Sequence, residues 1–186
     1  MRTADLDEWL PKPAIRSRHR RTGDADPDAI WEAAMGVRLN ETRTVGRLVQ
    51  WRLPETPEDL TFRDLLARDP FTVLAEGDRW SLSGMCGQIW TLRRDYPHLD
   101  GPDDFRAWDK AGTVRVLFAH WVEEEADGRH TLISESRIEP VNRRARIPLR
   151  ALWTAISRFE RLIGAEPVAL AIRRAEEASK AAAPTR

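Results

Sequence analysis

Three side chains in this sequence are placed to move a proton or hold a polar group: His120, Glu135 and Glu160. His120 lies in TVRVLFAHWVEE, residues 113–124, a run of β-branched and aromatic residues that reads as a strand. Alternate strand residues share a face, so Val114, Val116, Phe118, His120 and Val122 point the same way. A histidine on so apolar a face is most often a hydrogen-bonded core residue. If the face lines a cavity, it becomes a polar anchor or a general acid–base group. Glu135 falls in the next strand, with Arg137 on the same face. Left exposed, that pair contributes well under ~1 kcal/mol. Glu160 interrupts the apolar stripe of a C-terminal helix. Facing His120, either carboxylate would complete a pair for proton transfer; at the helix rim, Glu160 simply reaches solvent.

Other chemistry is sparse. The sequence has no phosphate-binding glycine loop, no His-Glu-x-x-His and no nucleophile elbow. Asp24, Asp26 and Asp28 start like a calcium loop, but the central Gly and final Glu are missing and Pro27 opens a helix, so capping is the better reading. The single Cys86 rules out an intrachain disulfide and a multi-cysteine zinc site. No metal and no cofactor is expected. His98 and His130 read as surface residues, and His19 sits among arginines. Arg16, Arg18, Arg20 and Arg21 read as the solvated side of an edge strand. With Lys plus Arg at 30 and Asp plus Glu at 30, no global field favours nucleic acid. No run approaches the ~20 apolar residues that cross a bilayer, so no stable membrane insertion is expected. The start MRTADLDEWL lacks the order of a signal peptide, and a cytoplasmic address is the default. Eight Trp beside one Tyr supply large planes for a core or an apolar pocket.

The elements that must position these groups follow from periodicity. Residues 1–13 form a lead-in with Trp9 and Leu10 docking on the core, and 15–22 an edge strand. Asp26, Pro27 and Asp28 start a helix with Ile30, Trp31, Ala34 and Met35 as its stripe, ended by Gly36. A second helix spans 42–52, and Thr61 with Asp64 caps a third reaching Arg68. Residues 71–76 and 79–90 make a hairpin, with Gly84 and Gly87 marking a bulge or a close approach. Phe105 and Trp108 sit on one helical turn that closes over the core. Strands 113–124 and 129–139 form a second hairpin. The last helix, 147–178, carries Leu149, Leu152, Trp153, Ile156, Phe159 and Ile163 on one face, an arc of roughly 120°. After Gly164 the stripe shifts to Val168, Ala171, Ile172 and Ala175, which predicts a kink or restart between Gly164 and Pro167. The elements describe a single α+β domain.

HRRTGDADPDAIWEA resembles the opening of the SRPBCC superfamily, a first strand leading into an Ala-Pro-x-x-Val-Trp helix. SGMCGQIW, DDFRAWDKAG and ISESRIEP are similar to strands and segments of its polyketide cyclase/dehydrase-like bacterial branch. The resemblance runs from about Leu10 to Ala178. It implies a helix-grip fold: a curved antiparallel sheet wrapped around the C-terminal helix, with an apolar cavity between. The expected ligand is a small hydrophobic molecule, lipid or polyketide-like. Its expected contacts are Trp90, Phe118, His120, Trp153, Ile156 and Glu160. A cyclase- or dehydrase-like enzyme using His120 with Glu135 or Glu160, and a ligand-free interaction module, are the alternatives. No residue set is common to the superfamily, so no catalytic assignment carries over.

Overall fold

A computed structural model describes the backbone of residues 3–91 and 96–182; side chains at 3–5 and 155–163 are not described. Five strands pair antiparallel in one sheet: β1 (Ile15–Gly23), β2 (Thr72–Gly77), β3 (Trp80–Gly87), β4 (Val114–Glu124) and β5 (His130–Pro140), in the order β1-β5-β4-β3-β2. Six α-helices accompany it: α1 (Thr3–Trp9), α2 (Pro27–Met35), α3 (Thr44–Arg52), α4 (Phe62–Leu66), α5 (Pro102–Ala107) and α6 (Arg143–Ala182).

Local chemistry sets the helix starts. Asp26 Oδ1 accepts the N–H groups of Asp28 and Ala29 at 2.9 and 3.3 Å, and Pro27 opens α2. Thr61 Oγ1 accepts from Asp64 N at the head of α4. Asn142 Oδ1 accepts from Arg144 and Ala145, so α6 begins at Arg143 and not near Pro148 as the proline suggests. Each cap satisfies amides that would otherwise have no partner inside the helix.

The sheet is buried on both faces. On one, Leu82, Leu117, Ala119, Trp121 and Ile133 pack under Leu6, Trp9 and Leu10 from the N-terminal segment and Phe105 of α5. The lead-in thus contains a helix, α1, that the sequence pattern does not signal. Gly84 lets α5 sit directly on β3, since a Cβ there would lie 2.6 Å from the Phe105 ring. On the opposite face, α6 rests on two separate cores. Ala145 and Leu149 meet Met85, Val114 and Val116 near its start. Val168, Ala171, Ile172 and Ala175 meet Leu132, Ile30 and Trp31 farther on. Each fully buried aliphatic side chain contributes ~1.5–3 kcal/mol.

The helix does not restart between Gly164 and Pro167: α6 runs through both Pro148 and Pro167. At ~100° per residue the two buried stripes are offset by roughly 110°. A continuous helix meets both cores because the contact migrates around it as it crosses twisted strands. The chain therefore has the helix-grip α+β fold, with short helices after the first strand and a long C-terminal helix held by an antiparallel sheet. Among the described residues no helix is long and apolar enough to cross a membrane.

Candidate functional site

Between the two cores under α6 a gap remains, bounded by the sheet, α3 and α6. It is a cavity of about 360 Å³. Val116, Phe118 and His120 of β4, Ser134, Ser136 and Ile138 of β5, and Ser17 and His19 of β1 form its floor. Val45, Leu48 and Val49 of α3 and Leu152 and Trp153 of α6 form apolar walls.

Strand register groups the polar atoms of the floor. His120 stands opposite Ser134, which stands opposite His19; Phe118 stands opposite Ser136, which stands opposite Ser17. His19 Nε2 lies 3.0 Å from Ser17 Oγ. His120 Nδ1 is buried with no hydrogen-bond partner among the described residues. Burial pushes the pKa of His120 down to about 4, so it is a neutral imidazole at pH 7. A neutral ring offers one donor and one acceptor, and leaving such an atom unmet in an apolar setting costs roughly 1–3 kcal/mol.

Gly164 brings α6 down onto this floor. A Cβ at that position would lie 1.9 Å from His19 Cδ2, so only glycine allows the approach. At the other side the rim is tied by Arg52. Its guanidinium donates to the Thr91 carbonyl at 2.8 Å and to the Tyr96 hydroxyl. The same group stacks 5.3 Å from the Trp51 ring centroid and 5.7 Å from that of Tyr96.

The residues singled out in the sequence are divided by this geometry. Phe118, His120 and Trp153 line the cavity. Trp90 does not; it packs beside the Met85 and Val114 core. β3 ends at Gly87, whose φ of 139° takes the chain out of the strand path before Trp90. The side chains of Ile156 and Glu160 lie outside the described residues.

Glu135 requires a correction. It pairs with Ala119, one residue out of phase with His120, so the pleat sends the two side chains to opposite faces. The His120–Glu135 couple is not built. The expected exposed Glu135–Arg137 pair is instead buried beneath α1, at 1% and 0% exposure. Glu135 Oε1 accepts from Arg16 Nε and Arg137 Nε, each at 2.7 Å, and Arg137 also donates to Asp7 of α1. Arg16 is thus a counter-ion, not merely part of a solvated edge.

His19 and the serines of the floor escaped the sequence reading. The available signal is the spacing of Ser17 with His19 and of Ser134 with Ser136, each pair sharing one strand face. Cys86 is buried on the opposite face, and desolvation pushes its thiol up to about 12, which leaves it inert as a nucleophile. Among the described residues no cluster of His, Cys, Asp and Glu is arranged to hold a metal ion.

No protein-family model and no curated protein matches the chain. Solved structures with a similar course include the Zhui aromatase/cyclase from Streptomyces sp. R1128, 14% identical over 92% of this chain and 99% of that one, TM-score 0.33. Ara h 8.0201 is 9% identical over 90% and 98%, TM-score 0.32. MLL2253 from Mesorhizobium loti is 13% identical over 91% and 100%, TM-score 0.32. Such TM-scores carry no argument, and the fold assignment rests on the strand order and the placement of α6.

Proposed function

We propose that the chain belongs to the SRPBCC superfamily and binds a small, mostly apolar molecule bearing one uncharged polar group. The cavity's volume falls within the usual range of ligand pockets, roughly 300–1,000 Å³. The observation that carries the reading is His120 Nδ1, a polar atom buried without a partner at the floor of an apolar cavity. A hydroxyl or carbonyl of a ligand would meet the part of the His120 ring that lines the cavity, with Ser134 and Ser136 beside it. Because His120 is neutral at pH 7, a neutral polar group suits this end better than a carboxylate. A pKa of about 4 also makes it a poor proton acceptor at neutral pH, which favours an anchor over a general base.

The test is titration with N-phenyl-1-naphthylamine, a neutral apolar fluorophore, alongside native mass spectrometry of the purified chain. The expected result is saturable one-to-one binding, abolished by Phe118→Trp, which fills the cavity from its floor. An adduct lost on denaturation adds support. Absent fluorophore binding, or binding indifferent to Phe118→Trp, overturns the proposal.

A further inference from the structure

We infer that the mouth of this cavity docks on an anionic lipid bilayer. Among the described residues the large apolar side chains left exposed are Leu48, Trp51 and Ile147, at 36%, 58% and 77%. All belong to α3 or the first turns of α6, the helices that wall the cavity. Leu48 and Trp51 line the opening itself, and Ile147 lies on the outward side of α6, opposite its buried Ala145 and Leu149.

The charge on α3 and on the first turns of α6 is one-sided, and the carboxylate of Glu166, farther along α6, accepts from the Arg43 and Thr44 amides. Residues 42–54 contain arginines and no acid, and so do residues 140–154, although the whole chain balances 30 basic against 30 acidic residues. Several arginines elsewhere are matched: Arg63 pairs with Glu32, Arg115 with Glu139 and Arg174 with Glu41. Arg43 at the N-cap of α3, Arg47 within it, and Arg143, Arg144, Arg146 and Arg150 of the first turns of α6 are exposed, and their side chains have no carboxylate partner among the described residues. By helical geometry, Arg143 and Arg150 flank Ile147 on the side of α6 turned away from Ala145 and Leu149, its buried residues.

A bilayer with anionic headgroups answers both features at once. Arginine pairs with lipid phosphate while its stem lies along apolar surface, and Trp, Leu and Ile settle at the headgroup–acyl boundary. Docking in this sense is peripheral and needs no membrane-spanning element. It uses only this outer surface, so it stands independently of what the cavity holds.

The experiment is flotation of the full chain with phosphatidylcholine vesicles, with and without phosphatidylglycerol, at low and high salt. The chain should float with the anionic vesicles at low salt and be released from them at high salt. Each arginine near an anionic surface strengthens partition roughly fivefold, so Arg47→Gln with Arg150→Gln should weaken it roughly 25-fold. Ile147→Ser should weaken it roughly tenfold by removing an inserted apolar group. These positions lie outside the cavity lining, so fluorophore binding by the variants should match the parent, which separates a failure here from a failure of the ligand reading. Absence of flotation, equal flotation with neutral vesicles, or unchanged partition of the variants overturns the inference. So does arginine-dependent retention on polyglutamate without vesicle binding, which would identify an acidic protein as the partner instead.

Discussion

Replacing His120 by glutamine should remove part of the acid sensitivity of this fold. In the folded chain its pKa is about 4, and in an unfolded chain about 6.5. Between those values the unfolded state binds a proton that the folded state refuses. Stability therefore rises with pH through the window and is lost as pH falls from about 6.5 toward 4. With these two pKa values, going from pH 7 to pH 4.5 removes roughly 2 kcal/mol through His120 alone. Some of the side chain's surface faces the cavity, so water admitted there would make the loss smaller; the figure is a ceiling. For a domain of this size it corresponds to a drop in Tm of roughly 4–8 °C. The assay is urea denaturation at both pH values for the parent and for His120→Gln. Carboxylates that titrate over the same range cancel in the comparison. The parent should lose up to roughly 2 kcal/mol more than the variant. Equal losses would refute the buried, neutral histidine and with it the anchor reading of the floor.

Two other substitutions test the frame around the cavity. Glu135→Gln leaves the buried Arg137 with only the more exposed Asp7 as counter-ion and should destabilise the chain by about 3 kcal/mol in urea denaturation, whereas Glu135→Leu with Arg137→Met should recover most of that loss. A loss below ~1 kcal/mol for the single change would mean that the pair behaves as a surface one. Gly164→Ala places a methyl group into the His19 ring, and the overlap should cost about 1–3 kcal/mol in thermal melts while weakening fluorophore binding. Unchanged melting and binding would show that α6 does not rest on His19.

Much of the architecture was legible because the periods are strong. The alternation in VRVLFAHWVEE set the face of His120, and Asp26-Pro27 set the start of α2. The N-terminal helix was not legible, although the docking of Trp9 and Leu10 was: with Leu6 they hold α1 on the far face of the sheet, where a seven-residue segment has little helical stability of its own. That docking also explains the Glu135 correction, because a face judged open in sequence is covered by a distant element. The two prolines of α6 misled for the opposite reason. Tertiary contacts on both sides of each hold the helix together where local propensity would end it. At the cavity, the row His19, Ser134, His120 exists only through register across β1, β5 and β4, and no single strand displays it.

Mechanically, α6 is a beam on two piers. Pro167 stands beside Val168, so it removes the main-chain hydrogen bond at the point where the beam reaches that support, whereas Pro148 removes one inside the other pier, between Ala145 and Leu149. The helix is therefore softest at the edge of the cavity that Pro167 lines. Clearance beneath it is governed by a small change of angle at this joint, while the side chains of both piers keep their packing. A guest of larger girth would be met by tilting one rod, not by rearranging a core, and the cost of admitting it would grow with bending stiffness.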